Sequence, residues 1–366
     1  MSQLQGILPA KAIGRFVDDR KIRIERPLDA DQIQPASLDL RLGEIAYRVR
    51  ASFLPGPKLT VAERLKDLSL HQISLSEGAV LEVGCVYIVP LLESLALPTG
   101  ISAAANPKSS TGRLDIFTRV ITDKAQEFDK VPDGYTGPLY AEVSPRTFPI
   151  LARTGSRLSQ IRFRAGASLA SDDIIRALHG RESLISEGIA NIDNGLALTV
   201  DLSGSAADMP VGFRAKRHSG LVDVDRKGAL EVLDYWEPIW QRGSLILDPD
   251  QFYILVSKEA VRVPATHAAE MVPFNPLVGE FRVHYAGFFD PGFGDSSGQG
   301  QGSRGVLEVR SHEVPFILED GQIIGRLVYE PLTEKPDKVY GQTGSSYQRQ
   351  GLKLSKHFKA FVPARH

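Results

Sequence analysis

The sequence of 366 residues has one cysteine, eight histidines that do not cluster, and no uncharged apolar run of membrane-spanning length. One cysteine excludes a disulfide framework and any zinc site built on a C-x-x-C pair. Cys85 lies in "LEVGCVYIVPL", whose alternation predicts a small buried hydrophobe rather than a nucleophile. The N-terminal "MSQLQGILPAKAIGRFVDDRK" has no apolar core of signal-peptide length, so a cytoplasmic protein with no membrane partner is expected. A large charge of one sign is also missing. At a formal −1 the chain has no global field to hold polymeric nucleic acid, and an anionic ligand must be met by a local cluster of donors. What is present is the balance of a globular protein, 42% hydrophobic and 24% charged, in a chain long enough for two ordinary domains.

Those two domains are copies of one another. "VYIVPLLESLALP" (86–98) and "FYILVSKEAVRVP" (252–264) share apolar spacing and end on Pro98 and Pro264, 166 residues apart. The same offset lays "AEVSPRTFPILARTGSRLSQIRF" (141–163) over "LEVRSHEVPFILEDGQIIGRLVY" (307–329), pairing Glu142 with Glu308, Pro149 with Pro315 and Gly155 with Gly321. Upstream, with small slippage, "ASLDLRLG" (36–43) resembles "LTVDLSG" (198–204) and "AIGRFVDDR" (12–20) resembles "DIIRALHGR" (173–181). Duplication of one domain follows, with copies at 1–169 and 170–366. Alternating runs and Gly/Pro punctuation make each copy mainly β, a barrel or distorted jelly roll. Helical spacing predicts a short helix opening each, over 11–19 and 171–179, the second with Ser171 as N-cap.

Two stretches carry donors and acids. "NPKSSTGRLDIFTRV" (106–120) sets Lys108, Ser109, Ser110 and Arg113 close together, a combination of short and long donors suited to a phosphate. A solvated turn is the alternative reading of that stretch. "FRVHYAGFFDPGFGDSSGQGQGSRGVLEVRS" (281–311) reads as two strands joined through a turn at Asp290-Pro291-Gly292, with Glu308 on the returning strand. Alternation puts Val306 on the same face as Glu308, a carboxylate beside apolar surface that suits a general base; an exposed edge-strand glutamate is the alternative. The tail "DKVYGQTGSSYQRQGLKLSKHF" (337–358) is rich in Gly, Ser and Gln, read either as disordered or as a segment that closes over an anion.

The residues of both copies resemble those of the dCTP deaminases of the dUTPase-like superfamily. "ASLDLRLG" and "KSSTGRL" in the first copy are similar to that family's S-[IV]-D-[LV]-R-L-G and R-S-S-x-x-R-x-G. "VHYAGFFDPGF", "GVLEV" and the tail's "YQRQG" in the second are similar to its V-H-x-T-A-G-F-I-D-P-G-F, x-x-L-E and Y-x-x-Q-x-G. The resemblance covers nearly the whole chain and implies two tandem dUTPase-like domains. It also implies deamination of dCTP to dUTP and ammonia, with Mg2+ carried by the triphosphate and no zinc. Glu308 takes the position of the general base. Ser109 and Arg113 match the pair that orients water and stabilises the tetrahedral intermediate, and Lys108 and Ser110 match phosphate-binding positions. Ala286 and Asp290 match the hairpin that reads base and sugar, and Tyr340 and Gln350 match tail positions covering the nucleotide.

Departures from the family pattern are complementary between the copies. The first keeps the serines and arginine but has a longer "DKAQEFDKVPDGYTG" (123–137) in place of the hairpin; the second keeps the hairpin but has "VPFNPLVGEF" (272–281) where the serines should be. The expectation is a composite site, phosphate-side donors from the first copy and hairpin plus Glu308 from the second, in a homo-oligomer. Glu142, seven residues after Tyr135 as the family spacing asks, is the competing base. Ser346 stands where the family has a lysine, with Lys338 or Lys353 as replacements. A bifunctional enzyme that also cleaves dUTP to dUMP, and a non-catalytic nucleotide sensor, are the alternative readings.

Overall fold

The computed structural model describes residues 5–166, 170–204, 206–272, 281–283, 287–294, 301–311, 313–342 and 351–363. It divides into two compact units, both mainly β. The first comprises Met1–Ser168 with Gly220–Lys227 and Leu332–Lys338; the second comprises Leu169–Ser219, Gly228–Pro331 and Val339–His366. Among the described residues no helix is long and apolar enough to cross a membrane.

In the first unit one sheet runs in the order Ser69–Ser74, Ile45–Val49, Val86–Ala96, Thr136–Pro145, Ile116–Thr122. A second is centred on Arg157–Ala165, which pairs with Gly6–Ile7, Leu38–Arg41 and Ile101–Pro107. A third sets Ile150–Ala152 between Ala79–Leu81 and Val222–Asp223, the last pairing parallel. The second unit repeats the plan. Phe252–Val261 pairs with Ser303–Ser311, Ile323–Pro331 pairs with His267–Val272 and Leu196–Thr199, and Ser244–Leu247 pairs with Phe316–Glu319. Leu255, Leu307, Val309, Leu327 and Tyr329 pack in its core, so the odd residues of Ser303–Ser311 face inward and Glu308 faces the other way.

The 166-residue offset holds down to an irregularity of pairing. In the first unit the ladder skips between Pro138/Ser94 and Tyr140/Pro90; in the second it skips between Arg304/Ala260 and Val306/Val256. Each bulge carries a glutamate that serves the strand beside it. Glu93 accepts the Arg41 backbone N–H at 2.8 Å, and Glu259 accepts that of Thr199 at 2.7 Å. Glu93 is fully buried and also accepts the Arg41 Nε and the Gln32 amide, both at 2.8 Å. Burial nevertheless pushes its carboxyl up from the ordinary range.

The opening helices occur as Ala10–Asp18 and Asp172–Arg181. Ser171 occupies the N-cap of the second but makes no capping bond; the Asp172 carboxylate instead ties down the 194–195 turn, accepting the Asn194 and Gly195 N–H groups. A further helix, Val61–Leu68, is held by a Thr60/Glu63 capping box, a T-x-x-E signature that the period-two strand reading passes over. Cys85 is partly exposed rather than buried, because it lies in the turn after Gly84 (φ +74°), just before the strand begins at Val86.

Within the first unit, Arg153 clasps residues 223–225. Its guanidinium donates to both Asp223 oxygens at 2.7 and 2.9 Å and to Asp225 at 3.2 Å. Hydrogen bonds from Arg153 hold the Asp223 carboxyl below its usual range, so the clasp stabilises the fold above the pKa of an unfolded aspartate and is lost as pH falls through the lower folded value. Asp223→Asn is expected to cost up to about 1 kcal/mol at neutral pH. The difference from wild type should close below about pH 4, as read by denaturant unfolding across a pH series.

Candidate active site

The stretch that opens with Asn106 is not a solvated loop. Ile101–Pro107 ends on Pro107, Lys108 serves as N-cap, and Ser109–Gly112 form a single helical turn closed by Thr111 and Gly112 N–H groups donating to the Lys108 carbonyl (2.8 and 2.9 Å) and Arg113 N–H donating to Ser109 (3.1 Å). Asp115 then turns the chain through φ +55° into Ile116–Thr122. Ser110 and Arg113 are buried and Lys108 and Ser109 half-buried, so the four candidate donors do gather within one turn. Lys108 forms an ion pair with Asp39, which is itself buried in the "ASLDLRLG" strand. Arg157 joins them, 3.4 Å from Asp39 and bonded to both Asp31 oxygens at 2.8 and 3.1 Å. The hydrogen bond from Arg157 holds Asp31 below the usual carboxylate range. Asp39 and Arg157 are residues that motif reading missed; Asp39 was visible inside a matched segment, Arg157 only through strand pairing.

The competing glutamates occupy matching positions in different surroundings. Glu142 lies opposite Ile88, and Glu308 opposite Ile254; both pairs are 166 residues apart, and both glutamates are buried. Glu142 faces Arg119 on the next strand, whose Nε and Nη2 donate to Oε1 at 3.1 and 2.6 Å. Helix Val61–Leu68 and the side chains of Phe53, Leu54 and Phe128 build an apolar cluster with Ile88 on this face. Around Glu308 the cross-strand row is Phe213, Ile254, Glu308. Val306 and Arg310 lie two residues to either side on the same face, with the Arg310 guanidinium 6.0 Å from the Phe252 ring. The expected apolar neighbour of Glu308 is there, and it is not an exposed edge residue.

The Asp290-Pro291-Gly292 segment makes a tight turn, Phe293 N–H donating to the Asp290 carbonyl at 3.0 Å. The strands around it belong to two sheets: Phe288–Phe289 pairs with His267–Val272, whereas Phe281–Val283 pairs with Ser303–Ser311. Tyr340 docks on this turn. Its N–H donates to the Pro291 carbonyl at 2.7 Å, and its ring lies 5.3 Å from Phe293, which packs edge-on against Phe289 at 5.0 Å. Asp290 and Tyr340, far apart in sequence, thus converge. Ala286 and Gln350, like Ser346, fall outside the described residues. Lys338 belongs to the first unit and Lys353 is exposed.

Residues 351–363 are packed rather than frayed. Gly228 and Ala229 N–H groups donate to Lys356 and His357 carbonyls. Phe358 lies edge-on to Tyr235 and Trp236 at 5.4 and 5.9 Å, and Phe361 to Phe213 at 5.3 Å. Phe213 is in the Glu308 row, so the tail packs on the end of that row, with Ile254 between it and the glutamate. Aromatics scattered through a Gly/Ser-rich tail gave no periodic signal of this. Among the described residues no group of three or more His, Cys, Asp or Glu side chains could hold a metal ion.

Comparison with known proteins adds three findings. Residues 4–167 match the N-terminal domain, and residues 171–358 the C-terminal domain, of 2'-deoxycytidine 5'-triphosphate deaminase (DCD). A protein of Dictyoglomus turgidum named "dCTP deaminase, dUMP-forming" is 29% identical over 164 residues, 43% of this chain and 79% of the relative; a "dCTP deaminase" of Colwellia psychrerythraea is 26% identical over 170 residues, 44% and 82%. A crystal structure of 2'-deoxycytidine 5'-triphosphate deaminase from Agrobacterium tumefaciens is 63% identical, with a TM-score of 0.88, covering 92% of this chain and 100% of that one. Less than half of this chain spans most of each of these two relatives.

Gly292, at φ +85°, has the Val339 Cβ 2.9 Å and the Tyr340 nitrogen 3.3 Å from where its own Cβ would sit. Gly292→Ala is therefore expected to loosen Tyr340 at a cost of about 1–3 kcal/mol. Hydrogen exchange of the Tyr340 amide should accelerate while that of Leu307 and Val309 in the core stays slow.

Proposed function

The chain belongs to the 2'-deoxycytidine 5'-triphosphate deaminase family, and from that premise we propose that it is a hydrolase acting on Mg2+-bound dCTP: water adds to cytosine C4, the C4–N4 bond breaks, and dUTP and ammonia leave. The observation that carries this reading is the 63% identity to a structure of that name across nearly all of both chains. Glu308 is the general base. It takes the proton of the attacking water and passes it toward the departing amine. Its burial in a row with Phe213 and Ile254 supports the role, since a face shielded from bulk solvent lets the single attacking water meet the carboxylate without competition.

Arg113 and Ser109 orient the water and stabilise the charge that builds on the tetrahedral carbon's substituents. Lys108 and Ser110 receive the triphosphate. Lys108 is held by Asp39 and exchanges that partner for a phosphate oxygen. Asp290 and Ala286 read the base and sugar, and Tyr340 and Gln350 cover the nucleotide. Mg2+ enters as part of the substrate, and the one cysteine supports a zinc-independent reaction. The enzyme works as a cytoplasmic homo-oligomer that draws on groups from both copies.

Ammonia release from dCTP is expected to fall about 10³-fold in Glu308→Gln and at least about 10²-fold in Arg113→Ala, and less than about 10-fold in Glu142→Gln. Full activity in Glu308→Gln would overturn the assignment, and nucleotide binding without turnover in wild type would make the chain a sensor. Because a relative carries the name "dUMP-forming", a second reading is that dUTP is cleaved further to dUMP and pyrophosphate. Pyrophosphate in the same assay selects it; dUTP as the sole product rejects it.

A further inference from the structure

Glu142 is the first copy's counterpart of Glu308, opposite the equivalent isoleucine, yet its surroundings are those of an occupied site. The occupant is the chain itself. Arg119 donates through Nε and Nη2 to one oxygen of a carboxylate that is 1% exposed, at 3.1 and 2.6 Å, and its Nη2 reaches Ser52 Oγ at 2.8 Å. The guanidinium carbon stands 3.4 Å from the centroid of the Phe128 ring and 4.5 Å from that of Phe117. A flat, delocalised N–C–N group therefore presents its N–H donors to a buried carboxylate with aromatic rings beside it. That is also how a flat nitrogenous ligand is bound: aromatic rings for its face, an acceptor for its edge. The second Glu142 oxygen, Oε2, is buried and has no hydrogen-bond partner among the described residues, so the carboxylate has acceptor capacity that Arg119 leaves unused.

We propose that the first copy retains a ligand pocket at Glu142 that Arg119 fills in place of a ligand, and that removing the guanidinium opens it to small planar amidinium cations. This rests on Glu308 being the base of the second copy, since it is the 166-residue equivalence that makes Glu142 a former site residue. Phe128 lies in "DKAQEFDKVPDGYTG", the segment that replaces the hairpin in this copy. The ring on which Arg119 stacks is thus supplied by the segment that stands in place of the hairpin in this copy.

The test uses the full chain with Arg119→Ala and methylguanidinium as the probe. Saturable binding by calorimetry at millimolar concentration, with a matching rise in melting temperature, is expected in Arg119→Ala. Wild type and the double variant Arg119→Ala/Glu142→Gln should show at least 10-fold weaker response. No saturable binding in the single variant, or equal binding in the double variant, overturns the proposal. If Arg119→Ala folds only when methylguanidinium is present during refolding, the pocket is supported; if neither it nor Arg119→Ser folds with the probe present, the proposal fails. The readout is binding at Glu142, not turnover. Activity retained in Glu308→Gln would therefore sink the proposed base and leave the binding result standing.

Discussion

Everything chemical in this molecule hangs on the register between two pairs of antiparallel strands. Val86–Ala96 against Thr136–Pro145, and Phe252–Val261 against Ser303–Ser311, set a glutamate opposite an isoleucine in each unit. A slip of one residue would turn Glu308 into the core occupied by Leu307 and Val309 and expel those two. Such a slip is disfavoured from both faces at once: odd residues bury apolar area inward, while the Glu308 row carries the buried Phe213 and Ile254, the first packed by Phe361. The bulge and its glutamate, Glu93 or Glu259, then tie the register to the neighbouring strand through a backbone N–H.

Much of this could be read from the residues because the chain states its pattern twice. The 166-residue offset located equivalent strands, and alternation in "GVLEVRS" gave the face of Glu308. The donors of "KSSTGR" are adjacent in sequence, so their gathering needed no knowledge of the fold. What could not be read were contacts made across strands or from distant segments. Arg119 lies within a quoted stretch, but only pairing with Thr136–Pro145 brings it to Glu142. Asp39 and Lys108 meet because strand Arg157–Ala165 lies between their two strands. Phe358 and Phe361 look like tail residues until their rings are seen against Trp236 and Phe213. The Thr60 capping box was legible locally, yet a mainly β pattern around it hid the helix.

The two units show how duplicated parts diverge under different constraints. Both units keep a buried glutamate at this register position, Glu142 with Arg119 as its partner and Glu308 in a row with Phe213 and Ile254. A buried carboxylate must be neutralised or hydrogen-bonded, and for Glu142 Arg119 meets that demand at low cost because its outer side remains partly in water. Likewise the Asp39–Lys108 pair persists in the first unit, whereas the equivalent Asp201 bonds to Arg304 and to the backbone of Ser203 and Gly204.

The shared bulge has a consequence for how the chain assembles. Two strand pairs with the same spacing, the same irregularity and the same charged residue are close to interchangeable templates, and a nascent Thr136–Pro145 could be met by Phe252–Val261 as readily as by its own partner on pattern alone. Discrimination falls to the few places where the copies differ. Pro90 and Pro138 flank the bulge in the first copy and offer no N–H, whereas Val256 and Arg304 stand there in the second. Mispaired copies would set ladder donors against positions that lack their counterparts. The missing N–H groups of Pro90 and Pro138 therefore favour each copy's strands pairing with their own during folding.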